Sequence, residues 1–259
     1  MTGPPQRSIA FFDLDHTLVD GDSDTSFLDF LAQEGAIDPA LLECKAAISD
    51  AYMEGRPWQD DYRELLGRVY GGLEVAAVEA LAVRHADERV LPMLFEGARD
   101  LVEAERGRRV ELCLLTTTNQ IVVEPVAAKL GLDHVLSTRL EITGDRFSGR
   151  LEGGEFCTGP VKASRLVARC AERAVVPEHC AMFGDGRSDM QALAVVGQPR
   201  AVHPNDELRR VASERGWPVL DLYRVRWLYA PQEGGGGRGG AHPWLVGGGN
   251  PTPGPRHGG

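Results

Sequence analysis

Short apolar runs that stop abruptly at clusters of acids or hydroxyls are the feature that most constrains this chain. The first run, 8–12, leads into Asp13-Leu-Asp-His-Thr17. The second, 110–115, leads into Thr116-Thr-Thr-Asn119, and the third, 179–183, into Gly184-Asp-Gly-Arg-Ser-Asp189. Continuous apolar segments of strand length are buried on both faces, which is how parallel sheets are built. Patterns of helical period recur at 96–106, 120–130 (closed by Gly131), 161–173 and 206–215, with further strand-like pieces near 134–137, 200–202 and 218–222. The stretch 139–151 alternates around a Thr-Gly-Asp turn and predicts a β-hairpin. Strands alternating with helices predict an α/β fold, a doubly wound parallel sheet.

One long stretch breaks the alternation. From 23 to 88 the apolar positions follow helical spacing instead (Phe27, Phe30, Leu31; Leu41, Leu42, Ile48; Tyr62, Leu65, Leu66, Val69; Val75, Val78, Leu81, Ala82). Gly35, Gly55 and Gly71-Gly72 punctuate them. A small helical bundle inserted after the first strand is expected. The predicted organisation is a core from 1–20 and 96–230, a helical cap at 21–95 and a tail at 231–259. The tail is rich in Gly and Pro and is expected to be disordered, since it buries too little surface to offset ordering entropy. Pro243-Trp-Leu-Val246 is its apolar island, with Trp244 a candidate docking motif.

Charge and composition narrow the partners. A net charge of −10 repels polyanions and argues against nucleic acid. The five cysteines are odd in number and widely spaced, without a Cys-x-x-Cys pair, so buried reduced thiols are expected rather than disulfides or zinc. No run of about 18 apolar residues suggests a membrane span, and 1–7 lack the features of a signal peptide. A cytoplasmic protein is expected. Lysine occurs at positions 45, 129 and 162 alone, so each departs from a strong bias toward arginine.

In an open parallel sheet, ligands bind at the carboxyl ends of the strands. There the first strand delivers Asp13 and Asp15, the second Thr116, and the third Asp185 and Asp189; Lys162 lies near the start of the helix between the second and third. Crowded carboxylates raise one another's pKa, and a divalent cation removes that penalty. Few, hard oxygen ligands suit Mg²⁺, which completes its shell with water and a substrate phosphate. A hydroxyl and an ammonium can then hold the remaining phosphate oxygens. Each piece also has a structural reading: Asp favours turns and caps, Gly184-Asp-Gly could be a tight turn, Thr116-Thr-Thr could cap a helix, and Lys162 could be solvated.

Taken together, Asp13-Leu-Asp-His-Thr17, Thr116, Lys162 and Gly184-Asp-Gly-Arg-Ser-Asp189 resemble the four motifs of the haloacid dehalogenase-like hydrolases. The inserted helices resemble the C1 cap of the phosphoserine phosphatase-like branch, on a Rossmann-like core. The likeness extends to Asp20-Gly-Asp-Ser-Asp24, Glu124-Pro125, 145–149, 157–162 and Asn205 with Gly216-Trp-Pro218, and covers about 8–222. It implies that Asp13 is a nucleophile forming an aspartyl-phosphate and Asp15 the general acid and base. It further implies that Thr116 and Lys162 hold the phosphoryl oxygens. Mg²⁺ would bind Asp13, the main-chain carbonyl of Asp15 and Asp185, with Asp189 in support.

His16 departs from the small or amide residues frequent at its place, and no Arg-bearing cap helix aligns; Arg56 and Arg63 are candidates for that role. The resemblance also suggests Asp22 as a clamp for a substrate ammonium, against the reading that it caps the helix beginning near Ser23. The expected function is hydrolysis of a small phosphomonoester, such as the amino-alcohol phosphates histidinol phosphate or phosphoserine. A phosphotransferase with the same phosphoenzyme and a non-catalytic binding protein are the alternatives; oligomeric state is left open.

Overall fold

β1 (Ile9–Phe12) is buried along its whole length, and its side chains divide between two cores. Ala10 and Phe12 enter one, Ile9 and Phe11 the other. This period of two explains why the segment is apolar at every position. β2 (Glu111–Asn119) repeats the division: Leu112 and Leu114 join the first core, Cys113 and Leu115 the second. The computed structural model describes residues 8–222; the readings for 231–259 and Trp244 lie outside these.

The six-stranded sheet comprises β1, β2 (Glu111–Asn119), β3 (His134–Thr138), β6 (Ala181–Gly184), β7 (Gln198–Val202) and β8 (Val219–Leu220), in the order β3-β2-β1-β6-β7-β8. All neighbouring pairs are parallel. β4 (Leu140–Thr143) and β5 (Arg146–Leu151) form the antiparallel hairpin. The predicted doubly wound α/β sheet is therefore present. The chain builds outward from β1 through β2 to β3, then returns to the other side of β1 with β6. This reversal makes the carboxyl edge of β1 the switch point where a ligand crevice opens.

Four helices, α1 (Ser23–Gln33), α2 (Leu41–Met53), α3 (Gln59–Tyr70) and α4 (Val75–His85), follow β1 in the chain before the next strand of the sheet. Helices α5 (Ala98–Gly107), α6 (Gln120–Leu130), α7 (Gly159–Glu172), α8 (Met190–Val195) and α9 (Asp206–Arg215) link the strands. Their ends follow local chemistry. Asn119 caps α6 by accepting from Ile121 N, and Gly131 closes that helix at φ 66°. The hairpin docks on the inserted bundle: Gly72 N donates to Phe147 O (2.9 Å) and Val75 N to Asp145 O (2.9 Å).

One element differs from its expected bounds. β2 runs on through Thr116-Thr-Thr-Asn119, with a register shift against β3 between Leu115 and Asn119. β-branched threonines suit extended backbone, so Thr116 lies within the strand rather than past its end. All five cysteines are free, four of them buried. No helix among the described residues is long and apolar enough to cross a membrane.

Candidate active site

The site grows from the end of β1. Asp13 N donates to Phe183 O of the neighbouring β6 (2.9 Å), so the sheet geometry continues one residue past the strand and aims Asp13 out of its edge. The chain then coils back, with Thr17, Leu18 and Val19 N–H groups all donating to Leu14 O (3.2, 2.8 and 3.1 Å). His16 takes φ 58° within this turn, a left-handed conformation that His adopts more readily than most residues.

Lys162 enters from the first turn of α7 and is fully buried. Its Nζ donates to Asp13 Oδ1 (2.8 Å) and Asp189 Oδ1 (2.5 Å). The other Asp189 oxygen accepts from Asp185 N (3.1 Å) and Gly186 N (3.3 Å), which tucks that carboxylate beneath the end of β6. Gly184 makes this tuck feasible: a Cβ there would stand 2.6 Å from Asp189 Cγ and Oδ2. Ligand oxygens of Asp13, Asp185 and Asp189 lie within 4.8 Å of one another. Thr17 Oγ1 lies 3.5 Å from both Asp13 Oδ2 and Asp185 Oδ1. Thr116 is buried on β2, its Oγ1 accepting from Thr118 N (3.3 Å).

Asp15 turns the other way. Its two oxygens accept from Ser23 N (2.7 Å) and Thr118 Oγ1 (2.7 Å). Its side chain is not among the clustered acids.

Burial pushes Asp13 up to about 7, against the pull of Lys162 and with the help of Asp189. Burial, then the charges of Asp189 and Asp13, push Asp185 well above the carboxylate range. Burial and the charge of Asp22 push Asp15 up to about 6, against the hydrogen bonds from Ser23 and Thr118. Burial would discharge Lys162, but Asp13 and Asp189 overrule it and hold the ammonium charged. Two buried carboxylates and the half-buried Asp185, with Lys162 as the one ammonium bonded to the cluster, remain short of positive charge, and they offer hard oxygen donors. That donor set fits a small divalent cation.

The cap stands over this edge. Tyr52, near the end of α2, stands beside Ser188 of the Gly184–Asp189 loop, and the Arg187 guanidinium packs on Gly55. Asp22 is the N-cap of α1, accepting from Thr25 N (2.8 Å); its other oxygen faces Lys45 Nζ at 3.4 Å. Asp24 takes Tyr62 OH, Asn119 Nδ2 (3.4 Å) and Lys45 Nζ (3.5 Å). Arg56 pairs with Glu54 (2.6 Å), and Arg63 with Asp60 (2.5 Å) and Gly154 O (3.3 Å); neither is bonded to the acid cluster.

Sequence reasoning did not single out Thr17, Thr118, Asp24 or Tyr62. Thr17 and Thr118 lay inside quoted motifs, but nothing in the spacing said which hydroxyl reaches which carboxylate. Lys45 carried a signal in the rarity of lysine.

A parallel sheet with an acid-lined switch point and an inserted helical cap defines a hydrolase class, and the family profile for haloacid dehalogenase-like hydrolase matches residues 10–194. The chain belongs to that family. It is 30% identical over 232 residues to a probable phosphatase of Mycobacterium tuberculosis, covering 86% of this chain and 78% of the relative. It is also 30% identical over 225 residues to a histidinol-phosphatase of Neisseria meningitidis, covering 83% and 99%. A crystal structure of a protein of unknown function from Bordetella pertussis superposes with a TM-score of 0.76 at 30% identity, covering 84% of this chain and 99% of that one.

Proposed function

We propose that this chain is a Mg²⁺-dependent phosphatase that hydrolyses a small phosphomonoester through a phosphorylated Asp13. The observation that carries the reading is the division of labour between two carboxylates two residues apart. Asp13 is held by Lys162 at 2.8 Å among the clustered acids, while Asp15 is held separately by Ser23 and Thr118. That division supports a reading in which Asp13 is the nucleophile and Asp15 the proton carrier.

An Asp13 carboxylate oxygen attacks phosphorus, and the bond from phosphorus to the ester oxygen breaks. Asp15, raised by burial, gives its proton to the departing alkoxide. Asp15 then takes a proton from the water that attacks phosphorus, the acyl-phosphate bond breaks, and Asp13 returns as inorganic phosphate leaves. Lys162 and Thr116 hold the phosphoryl oxygens in both steps. Asp13, Asp185 and the Asp15 carbonyl, with Asp189 in support, would hold Mg²⁺, which would supply neutralisation of charge on the phosphoryl group. The covering cap suits a small ester. Asp22 does not enter this reading as an ammonium clamp, because Lys45 already faces it.

The test is phosphate release from a panel of phosphomonoesters with Mg²⁺, including phosphoserine, histidinol phosphate, sugar phosphates, nucleotides and an aryl phosphate. Asp13→Asn is expected to abolish turnover and the acid-stable phosphoenzyme while the melting curve stays two-state. Turnover like the wild type in that variant overturns the mechanism. Running the panel with an added alcohol separates hydrolysis from phosphoryl transfer, since transfer leaves a new ester.

A further inference from the structure

Lys45 is a buried lysine on the cap, 7% exposed. Its Nζ lies 3.4 Å from Asp22 Oδ2, 3.5 Å from Asp24 Oδ2 and 3.2 Å from Ser49 Oγ, and 5.6 Å from the centre of the Tyr62 ring. Burial acts to discharge it, and Asp24 and Asp22 more than restore the charge. This ion cluster adjoins the proposed proton carrier. Asp22 directly precedes Ser23, whose N–H holds Asp15. The leaving group, protonated by Asp15, therefore departs beside Asp22.

The two acids differ in access. The Asp24 side chain is 5% exposed and closed in by Tyr62 and Asn119, whereas that of Asp22 is 38% exposed. An ammonium arriving with a substrate thus meets Asp22, but Lys45 is there already, tethered and desolvated. A tethered partner acts at an effective concentration in roughly the millimolar range or above, which free substrate must exceed. The cluster does not favour a substrate carboxylate either. The three N–H bonds of Lys45 face Asp22, Asp24 and Ser49, and two carboxylates against one ammonium leave a net negative charge. A hydroxyl group can donate to the open side of Asp22 without any like-charge penalty, whereas a second ammonium there stands against the charge of Lys45, whose Nζ lies 3.4 Å from the same carboxylate.

We propose that Lys45 sets leaving-group selectivity: by supplying the chain's own ammonium to Asp22 and Asp24, it disfavours esters of amino alcohols and favours those of uncharged, hydroxyl-bearing alcohols. This rests on the phosphatase reading above. Three esters of similar size separate the classes: 2-aminoethyl phosphate, 2-hydroxyethyl phosphate and phosphoglycolate, with p-nitrophenyl phosphate as a reference. The wild type is expected to show higher kcat/KM for the hydroxyl ester than for the other two. In Lys45→Met the ratio of amino to hydroxyl ester should rise by about tenfold or more, as Asp22 becomes available. Lys45→Met leaves two neighbouring carboxylates uncompensated. The double variant Lys45→Met with Asp24→Asn relieves that repulsion, and its ratio should move the same way. A wild type that prefers the amino ester, or a ratio unmoved in folded single and double variants, overturns the role of Lys45. A wild type inert toward all four esters, the aryl phosphate included, overturns the phosphatase reading itself.

Discussion

At the scale of single residues, the site depends on a buried ammonium between two carboxylates and on a glycine that lets one of them in. Lys162 is a compact point charge with Asp13 at 2.8 Å and Asp189 at 2.5 Å. A planar guanidinium has neither the size nor the donor geometry for that gap. Lys162→Arg is expected to lower kcat by roughly 100-fold or more, the scale of losing a donor to a transferring group. Turnover unchanged in that variant would return Lys162 to a purely structural role. Gly184→Ala tests the neighbouring contact. A methyl group 2.6 Å from Asp189 Cγ, in a buried place with no slack, forces Asp189 off Lys162. A cost of about 1–3 kcal/mol in denaturant unfolding is expected, together with loss of turnover. Retention of both shows that β6 shifts to absorb the methyl group.

Among elements, α1 and α4 are held together through His85. Its ring lies 5.0 Å from that of Phe27 and 5.6 Å from that of Phe30, and Nε2 stands 2.9 Å from Ser26 Oγ. Nδ1 is buried without a hydrogen-bond partner, so a proton there has nothing to meet. Burial, aided by Arg89, pushes the imidazole down to about 4. The folded value lies below the unfolded value, so the unfolded chain binds more protons between the two. Stability from neutral His85 is complete above about 6.5 and is lost as pH falls toward about 4, by roughly 3 kcal/mol at most. Replacing His85 with Gln should flatten the pH dependence of stability in that window relative to wild type. Parallel curves for the two proteins would show that His85 does not titrate on unfolding. The elongated β2 makes a related point. Its threonines extend the strand far enough for Thr118 to reach Asp15 from the other side of the crevice, 2.7 Å away.

For the whole molecule, the clustered acids predict a coupling between cation and stability. Asp13, Asp185 and Asp189 repel one another at close range, two of them buried and Asp185 half-buried, and a divalent ion that binds the fold and not the unfolded chain stabilises it. At a concentration about 100 times Kd the gain is roughly 2.7 kcal/mol. Mg²⁺ added to chelator-treated protein should therefore raise Tm, and in Asp185→Asn the increment should vanish. The variant itself should lose little stability without metal, because it removes a like charge from the cluster. An equal Mg²⁺ increment in both proteins would place the ion elsewhere.

Thr116, expected past the second strand, lies within it, whereas the doubly wound sheet, the inserted helices and the meeting of Asp13, Asp185 and Asp189 at the sheet edge were legible in the sequence. They depend on local pattern: burial on both faces makes a strand apolar throughout, and a crevice at strand ends places its polar residues just past them. Gly131 was likewise readable, since a helix end is satisfied by residues within one turn of it; the cap at the other end of that helix is Asn119 rather than the threonines before it. What only the tertiary structure decided is which charges meet. Lys45 and Asp22 are 23 residues apart and Lys162 and Asp13 are 149 apart, and nothing in local spacing encodes either approach. The acidic entrance 20–24 therefore suggested an open clamp for a foreign ammonium, whereas the packing of α2 against α1 brings one from the chain itself. An ion pair between distant segments is a product of how helices pack, and the charge a substrate meets at this site follows from that packing.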